Sequence, residues 1–344
     1  MRIGLDVTGG DHAPDCNLDG AVAALESLLD SDRLVLVGDE ESIRAGLAER
    51  SVDDPRVDVY HAPDVIGMGE SPVEAVRGKP NSSIVALSEL GSARKCGTRG
   101  FDEPLDAILS AGNTGACVTA AQMNMRRLDN VIRPGIAVTV PTFAGPVVLI
   151  DVGANIKPTP DHLAQYGVMG EVYARTILGV ERPRVAIMNI GGEEAKGTSE
   201  MKRARDILRA DDAIEFIGNI EGRGVFDGEA DVVITDGVVG NVMLKLAEGL
   251  SAGIFKAIGR EVARIDPDLA RRFEPVVREI YRQHDYHEYG AAPLLGVKGI
   301  CLISHGSSQS RAIGNAILKA RQYLDGHINE KISERLHLVG ESGS

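Results

Sequence analysis

Seven times along the chain, a short run of apolar, largely β-branched residues stops abruptly at glycine and small polar residues. The runs cover 3–7, 34–37, 107–109, 147–150, 185–190, 232–234 and 300–303. They are continuous rather than alternating, which marks strands buried on both faces. Helical spacing lies between them, most plainly in Leu163, Tyr166, Met169, Val172, Tyr173 and Ile177, three and four residues apart. Thr159 and Pro160 ahead of that stretch suit an N-cap and a first-turn proline. Strand alternating with helix predicts an α/β fold, a mostly parallel sheet flanked by helices. Ligands in such folds bind beyond the carboxyl ends of the strands, where the glycine loops converge. Glycine makes up 40 of 344 residues, roughly 12% against a usual ~7%, and follows no Gly-x-y period, so the excess belongs to those loops.

At about 150 residues per domain the length suggests two lobes. We expect residues 1–333 to form one catalytic unit, with two lobes around a cleft, and 334–344 to be a frayed tail. The polar stretch 91–103 reads as an inserted surface loop. A net charge of −13, 4% aromatics and no Trp make a poor nucleic-acid binder. Four scattered cysteines without a C-x-x-C pair fit a reduced, cytoplasmic protein. Asp6 comes too early for a secretory signal. No run approaches the ~18 apolar residues of a membrane span.

Glycine loops that open into helices present backbone N–H groups, which suits an anion such as phosphate. The known nucleotide signatures are missing. Lys196 precedes Gly197 in the wrong order for a P-loop, and Thr8-Gly9-Gly10-Asp11-His12 after the first run is not G-x-G-x-x-G. No G-x-S-x-G elbow occurs. His284 and His287 lack a matching zinc pattern, so no metal site is expected. Asp11 and His12 read equally as an acid–base pair or as loop caps. Cys117 reads as a buried thiol rather than a nucleophile, with no basic neighbour in sequence.

The opening Met1 to Asp15, MRIGLDVTGGDHAPD, resembles that of the PlsX-type phosphate acyltransferases. So do, in family order, Asn81-Ser82-Ser83, Ser110-Ala111-Gly112-Asn113-Thr114-Gly115, Asp151-Val152-Gly153-Ala154-Asn155, Phe216-Ile217-Gly218-Asn219, Thr235-Asp236-Gly237, Gly240-Asn241-Val242, Tyr289-Gly290 and His305-Gly306-Ser307-Ser308. Val7-Thr8, Pro80 and Gly290-Ala291 depart from the family pattern at its periphery. The resemblance implies transfer of a fatty acyl group from acyl carrier protein to inorganic phosphate, giving an acyl phosphate for phospholipid synthesis. It also implies a Rossmann-like fold with a projecting helical pair, a homodimer and no cofactor. In some members it implies peripheral contact with the inner face of the cell membrane, where a membrane glycerol-3-phosphate acyltransferase consumes the product.

Carried over position by position, the resemblance makes Lys196 and Asn241 catalytic. Gly9, Gly10, Asp11, His12, Ser82, Ser83, Asn113, Thr114, Asn155, Asp236, His305 and Ser307 become candidates for substrate and phosphate contacts. The chemistry suits such residue types. A lysine ammonium offsets the charge of phosphate approaching a carbonyl, and an asparagine amide can donate to the tetrahedral oxyanion. Phosphate is already a nucleophile and thiolate leaves readily, so no acyl-enzyme is needed. Without the resemblance, Lys196 is a solvated lysine and Asn241 an N-cap ahead of Val242, Leu246, Leu250, Ile254 and Ile258. A phosphotransacylase using short acyl-coenzyme A, and a dehydrogenase on a similar scaffold, stay open beside the carrier-protein reading.

An acidic carrier protein needs a local basic dock on this acidic chain. Residues 253–282 offer Lys256, Arg260, Arg264, Arg271, Arg272, Arg278 and Arg282 against Glu261, Asp266, Asp268, Glu274 and Glu279, seven positives minus five negatives, a net of +2. In the same segment Leu269, Phe273, Val276, Val277 and Ile280 form an apolar stripe. Phe273 and Val277, with Arg271, Arg272 and Arg278, are therefore candidates for carrier or membrane contact, against the alternative of burial in the fold or dimer. Asp266-Pro267-Asp268 breaks the long helix after Asn241 and a second helix resumes near Leu269, in which Pro275 fits a first turn only if the start lies at about Glu274.

Overall fold

A computed structural model describes residues 1–283 and 290–342; His284, His287 and Tyr289 lie outside the described residues. The seven apolar runs fall on seven strands of one sheet, and four strands outside those runs, at 57–61, 135–142, 215–220 and 292–295, bring it to 11. Its spatial order is β3 (Val57–His61), β2 (Arg33–Gly38), β1 (Arg2–Asp6), β4 (Ala107–Ser110), β11 (Ile300–Ile303), β10 (Ala292–Leu295), β5 (Gly135–Thr142), β6 (Gly145–Ile150), β9 (Val232–Ile234), β7 (Arg184–Met188) and β8 (Glu215–Ile220). The inner strands are buried on both faces, as continuous apolar runs require, while the edge strands β3 and β8 are partly exposed. In β2, Leu34 and Leu36 enter one core while Val35 and Val37 enter the other. The first core is covered by α1 (Asp15–Leu25), α2 (Glu40–Glu49), α6 (Pro160–Ile177), α7 (Ser199–Arg209), α11 (Ser310–Asp325) and α12 (Ile328–Ser342). The second is covered by α3 (Pro72–Gly78), α4 (Ser83–Leu90), α5 (Thr114–Asn124) and α8 (Gly222–Phe226). The layered α/β architecture expected from the sequence is therefore present.

Strand direction was not legible in those runs. β3, β2, β1, β4 and β11 are mutually parallel, and so are β6, β9, β7 and β8. Between the two sets, β10 is antiparallel to β11 and to β5, and β5 is antiparallel to β6. Three reversals make the halves run in opposite directions. The register also staggers them. Ile303 ends β11 opposite Ala292, while Gly135 and Ile136 begin β5 opposite Leu295 and Leu294. Ile150 ends β6 opposite Ala137, one step past Ile136 and so level with Leu302. The carboxyl ends of both halves thus meet in one strip beside the four-residue β10.

A long helix, α9 (Gly237–Ile265), leaves this strip and is followed by α10 (Pro267–Gln283), the projecting helical pair. α10 starts at Pro267, close to the resumption expected near Leu269, and carries Pro275 inside it rather than in a first turn at Glu274. Asp266 accepts from the N–H groups of Asp268 and Leu269 at 2.9 and 3.1 Å, which caps α10 eight residues ahead of that proline. Among the described residues, α9 is the one helix long and apolar enough to cross a membrane by length and composition, against the expectation that no such run existed. Single lysines and glutamates interrupt the apolar letters without breaking the apolar character of the helix.

Two smaller expectations also change. From Glu334, where a frayed tail was expected, α12 continues as helix through Ser342, and Leu336 is buried. The stretch 91–103 folds down around a short 3-10 turn, Cys96–Arg99, that buries Ser92 and Cys96. Thr159 caps α6 as anticipated, in a capping box with His162.

α1 and α11 cross so closely that a Cβ at Gly20 would stand 2.5 Å from the Ser310 carbonyl oxygen and 2.7 Å from Ile313 Cβ. Overpacking at such a contact costs about 1–3 kcal/mol. Gly20→Ala should lower the thermal midpoint, and an unchanged midpoint would contradict the crossing.

Candidate active site

Each half of the sheet ends in a buried aspartate that organises its own loop. Asp6 closes β1. Its Oδ1 accepts from the Thr8 N–H at 3.1 Å and the Thr8 hydroxyl at 3.0 Å, and its Oδ2 accepts from the Ser110 hydroxyl at 2.7 Å. Burial pushes its carboxyl up from the usual range, opposed by the hydrogen bonds from Ser110, Ser83 and Thr8. Asn17 donates to the carbonyls of Asp6, Val7 and Gly9 at 3.2, 2.9 and 2.8 Å, pinning the glycine turn from α1. Asp11 N–H then donates to Gly306 O at 2.7 Å, joining this turn to the loop after β11. Asn113 caps α5 through Ala116 N–H at 3.0 Å, and its amide donates to the carbonyls of Gly67, Met68 and Glu70, each at 3.2 Å.

Asp151 does the same after β6. Its Oδ1 accepts from the N–H groups of Ile136, Gly153 and Ala154 at 3.0, 3.2 and 3.0 Å, and its Oδ2 from Asn155 N–H at 2.6 Å. Burial also raises this carboxyl, against those four bonds. Asn155 donates to Pro134 O and Tyr166 Oη, both at 2.7 Å. α9 starts hard against this loop, capped by Asp236, which accepts from Val238 and Val239 N–H at 2.9 Å each. A Cβ at Gly240 would lie 2.2 Å from the Asp151 carbonyl oxygen, so only glycine permits the approach. Asn241 therefore sits in the second turn, not at the cap that the sequence also allowed.

Between the two loop systems lies a cavity of about 400 Å³. Asp11, Thr114 and His305 line it from the first half, and Asn241 and Lys245 from α9. Its walls are apolar, formed by Ile136, Val138, Val152, Leu244 and Ile303. Among the described residues β5 runs on past its last pairing with β10, so the cavity passes this open edge and reaches Thr139 and Tyr173 on the other face. There the Thr139 and Tyr173 hydroxyls lie 3.0 Å apart, and Tyr173 and Tyr323 3.2 Å apart. Ser304 also lines the cavity, and its hydroxyl is buried without a hydrogen-bond partner among the described residues. The shape is that of a chamber with a polar mouth and an apolar body, which fits an amphipathic molecule.

The family model for "Fatty acid synthesis protein" matches residues 1–331. The phosphate acyltransferase of Pelotomaculum thermopropionicum is 42% identical, covering 100% of this chain and 97% of that one. That of Desulforamulus reducens is 41% identical over 98% and 97%. The chain belongs to the PlsX-type phosphate acyltransferase family. It is an acyltransferase that uses phosphate as acceptor, in lipid synthesis. A phosphotransacetylase from Streptococcus pyogenes shares the fold at 15% identity, with a TM-score of 0.60 over 94% of each chain. A branched-chain phosphotransacylase from Enterococcus faecalis shares it with a TM-score of 0.53. At 13–15% identity these two show the Rossmann-like fold alone.

Of the residues singled out in sequence, the cavity brings together Asp11, Thr114, Asn241 and His305. Gly9 and Gly10 form the turn behind Asp11, while Ser83 lies beneath it, its hydroxyl 3.0 Å from that of Thr8. Ser82 is buried at the start of α4 and its hydroxyl has no partner. Asn113, Asn155 and Asp236 are taken up by the bonds above. Ser307 is exposed, its hydroxyl 2.7 Å from His305 Nδ1, and His12 faces solvent outside the lining. Lys196 is exposed on the loop after β7, held by Lys196 N–H to Glu193 O at 3.0 Å and by Asn219 to Glu193 O at 3.0 Å. It is not on the cavity wall. Sequence reasoning missed Lys245, Ser304, Thr139 and Tyr173; the i, i+4 step from Asn241 was the available signal for Lys245.

Burial pushes the Cys117 thiol up to about 12 and raises Cys301 further, so neither supplies a thiolate at neutral pH. Acyl transfer should therefore survive iodoacetamide, and stoichiometric inactivation by it would place a cysteine in the chemistry.

Proposed function

We propose that the cavity holds the acyl end of a fatty acyl-acyl-carrier-protein and directs inorganic phosphate onto its thioester carbonyl. A phosphate oxygen forms the new C–O bond, the C–S bond breaks, and the carrier leaves as thiolate that takes up a proton. The product is an acyl phosphate, and no acyl-enzyme or cofactor enters. The supporting observation is that Asn241 lines a cavity of about 400 Å³ together with the apolar Ile136, Val138, Val152 and Leu244. In this reading Asn241 donates to the oxyanion. Lys196 offsets phosphate charge from the β7 loop, whose strand adjoins β9 and thus the Asp236 cap. The family membership favours this over short-chain transfer from coenzyme A, since the phosphotransacylases are fold neighbours at low identity.

The test is one assay on the purified protein with phosphate and either long-chain acyl carrier protein or acetyl-coenzyme A. Acyl phosphate should form from the first donor. Asn241→Ala should lower kcat by about 10²–10³, as loss of one oxyanion donor does elsewhere. Lys196→Met should also lower turnover. Preference for acetyl-coenzyme A, or wild-type turnover in both folded variants, would overturn the proposal.

We further propose that the α9–α10 pair is the contact surface for macromolecules. Val242, Leu246, Leu250, Ile254 and Ile258 recur every fourth residue on α9 and are all exposed, an apolar strip that suits a second copy of the chain. On α10 Phe273 is exposed and Val277 half-buried beside a small hollow against α9. Arg264, Arg271 and Arg278 pair within the helices with Glu261, Asp268 and Glu274, while Lys256, Arg260 and Arg272 form no ion pair among the described residues. These cations suit an acidic carrier protein or the anionic inner face of a membrane. A Phe273→Asp/Val277→Asp variant should stay dimeric by sizing yet lose co-flotation with anionic vesicles. Dissociation to monomers would assign α10 to the dimer, and failure of the wild type to float at low salt would remove the membrane contact.

A further inference from the structure

Lys245 follows Asn241 by one helical turn on α9, so the two share a face, and both line the cavity. Lys245 forms no ion pair or hydrogen bond with any described residue. The opposite wall carries Asp11 and His305. The Ser304 hydroxyl, next to His305 in sequence, is buried and has no hydrogen-bond partner among the described residues. Among the described lining residues Asp11 is the one carboxylate, and an anion entering beside it needs a cation already in place. Lys196 lies outside this lining, whereas the Asp151 loop presses on the first turn of α9 and fixes the helix that carries Lys245.

We propose that Lys245 is the cation that binds a phosphate group inside the cavity, with Ser304 as a hydroxyl partner. The inference rests on the acyl-transfer reading above and adds a binding residue to it. Two sources of that group exist: inorganic phosphate, the acceptor, or the phosphate ester on the donor's pantetheine arm. A lysine ammonium recognises both as a compact point charge.

Lys245→Met and Lys245→Arg, with Lys196→Met as comparison, are to be assayed with phosphate and acyl-carrier-protein concentrations varied independently. A charge-assisted bond of ordinary strength predicts that Lys245→Met raises one KM by about tenfold or more. Lys245→Arg, which keeps the charge, should recover part of that loss. A rise confined to phosphate KM assigns the acceptor; a rise confined to donor KM assigns the pantetheine ester. Wild-type values of both KM in Lys245→Met, with or without a fall in kcat, overturn the proposal. Absence of acyl phosphate from the wild-type protein overturns the acyl-transfer reading instead, so the two failures are distinct.

Discussion

The structure depends on the join between two parallel half-sheets that run in opposite directions. A parallel sheet collects its ligand loops along one edge. Two such edges facing opposite ways would lie on opposite sides of a flat, fully overlapped sheet. The short β10 solves this by pairing its first half with the end of β11 and its second half with the start of β5. The halves then overlap only at their carboxyl ends, and the two loop systems close on one cavity. Among the described residues β5 has no partner on its β10 edge beyond that join, and the cavity continues there to Thr139 and Tyr173.

Rigid loops follow from the same economy at both edges. A buried carboxylate is costly unless its oxygens are hydrogen-bonded. Asp6 is satisfied by Thr8 and Ser110, and Asp151 by four backbone N–H groups. Once those bonds are made, the turns that follow have little freedom left. Asn17, Asn113 and Asn155 extend the bracing to neighbouring segments. Several polar residues with the look of ligands in sequence thus serve to hold backbone, leaving Asp11, Thr114, Asn241 and His305 to face the chamber.

Much of this was legible from residues alone. Burial on both faces gives continuous apolar runs, so the strands announced themselves, and the glycine loops marked the edge that matters. The reversal at β10 left no such trace, because a four-residue apolar run reads alike in either direction. The break at Asp266-Pro267-Asp268 was legible, but Pro275 did not show whether the first turn lay before it, and capping by Asp266 lets the helix begin at Pro267. Lys245 was overlooked because attention stayed on the motif ending at Val242, although helical geometry places residue 245 on the same face as residue 241. Lys196 carries its proposed role by family resemblance, since nothing local distinguishes it from a solvated lysine.

The central claim is that one chamber at the join receives both phosphate and acyl chain. A crystal structure with a long-chain acyl phosphonate, an unreactive mimic of the product, tests it most directly. The account predicts the phosphonate beside Asn241 at the polar mouth and the chain along Ile136, Val138 and Val152. A phosphonate bound elsewhere, or a chain lying outside that chamber, would contradict it.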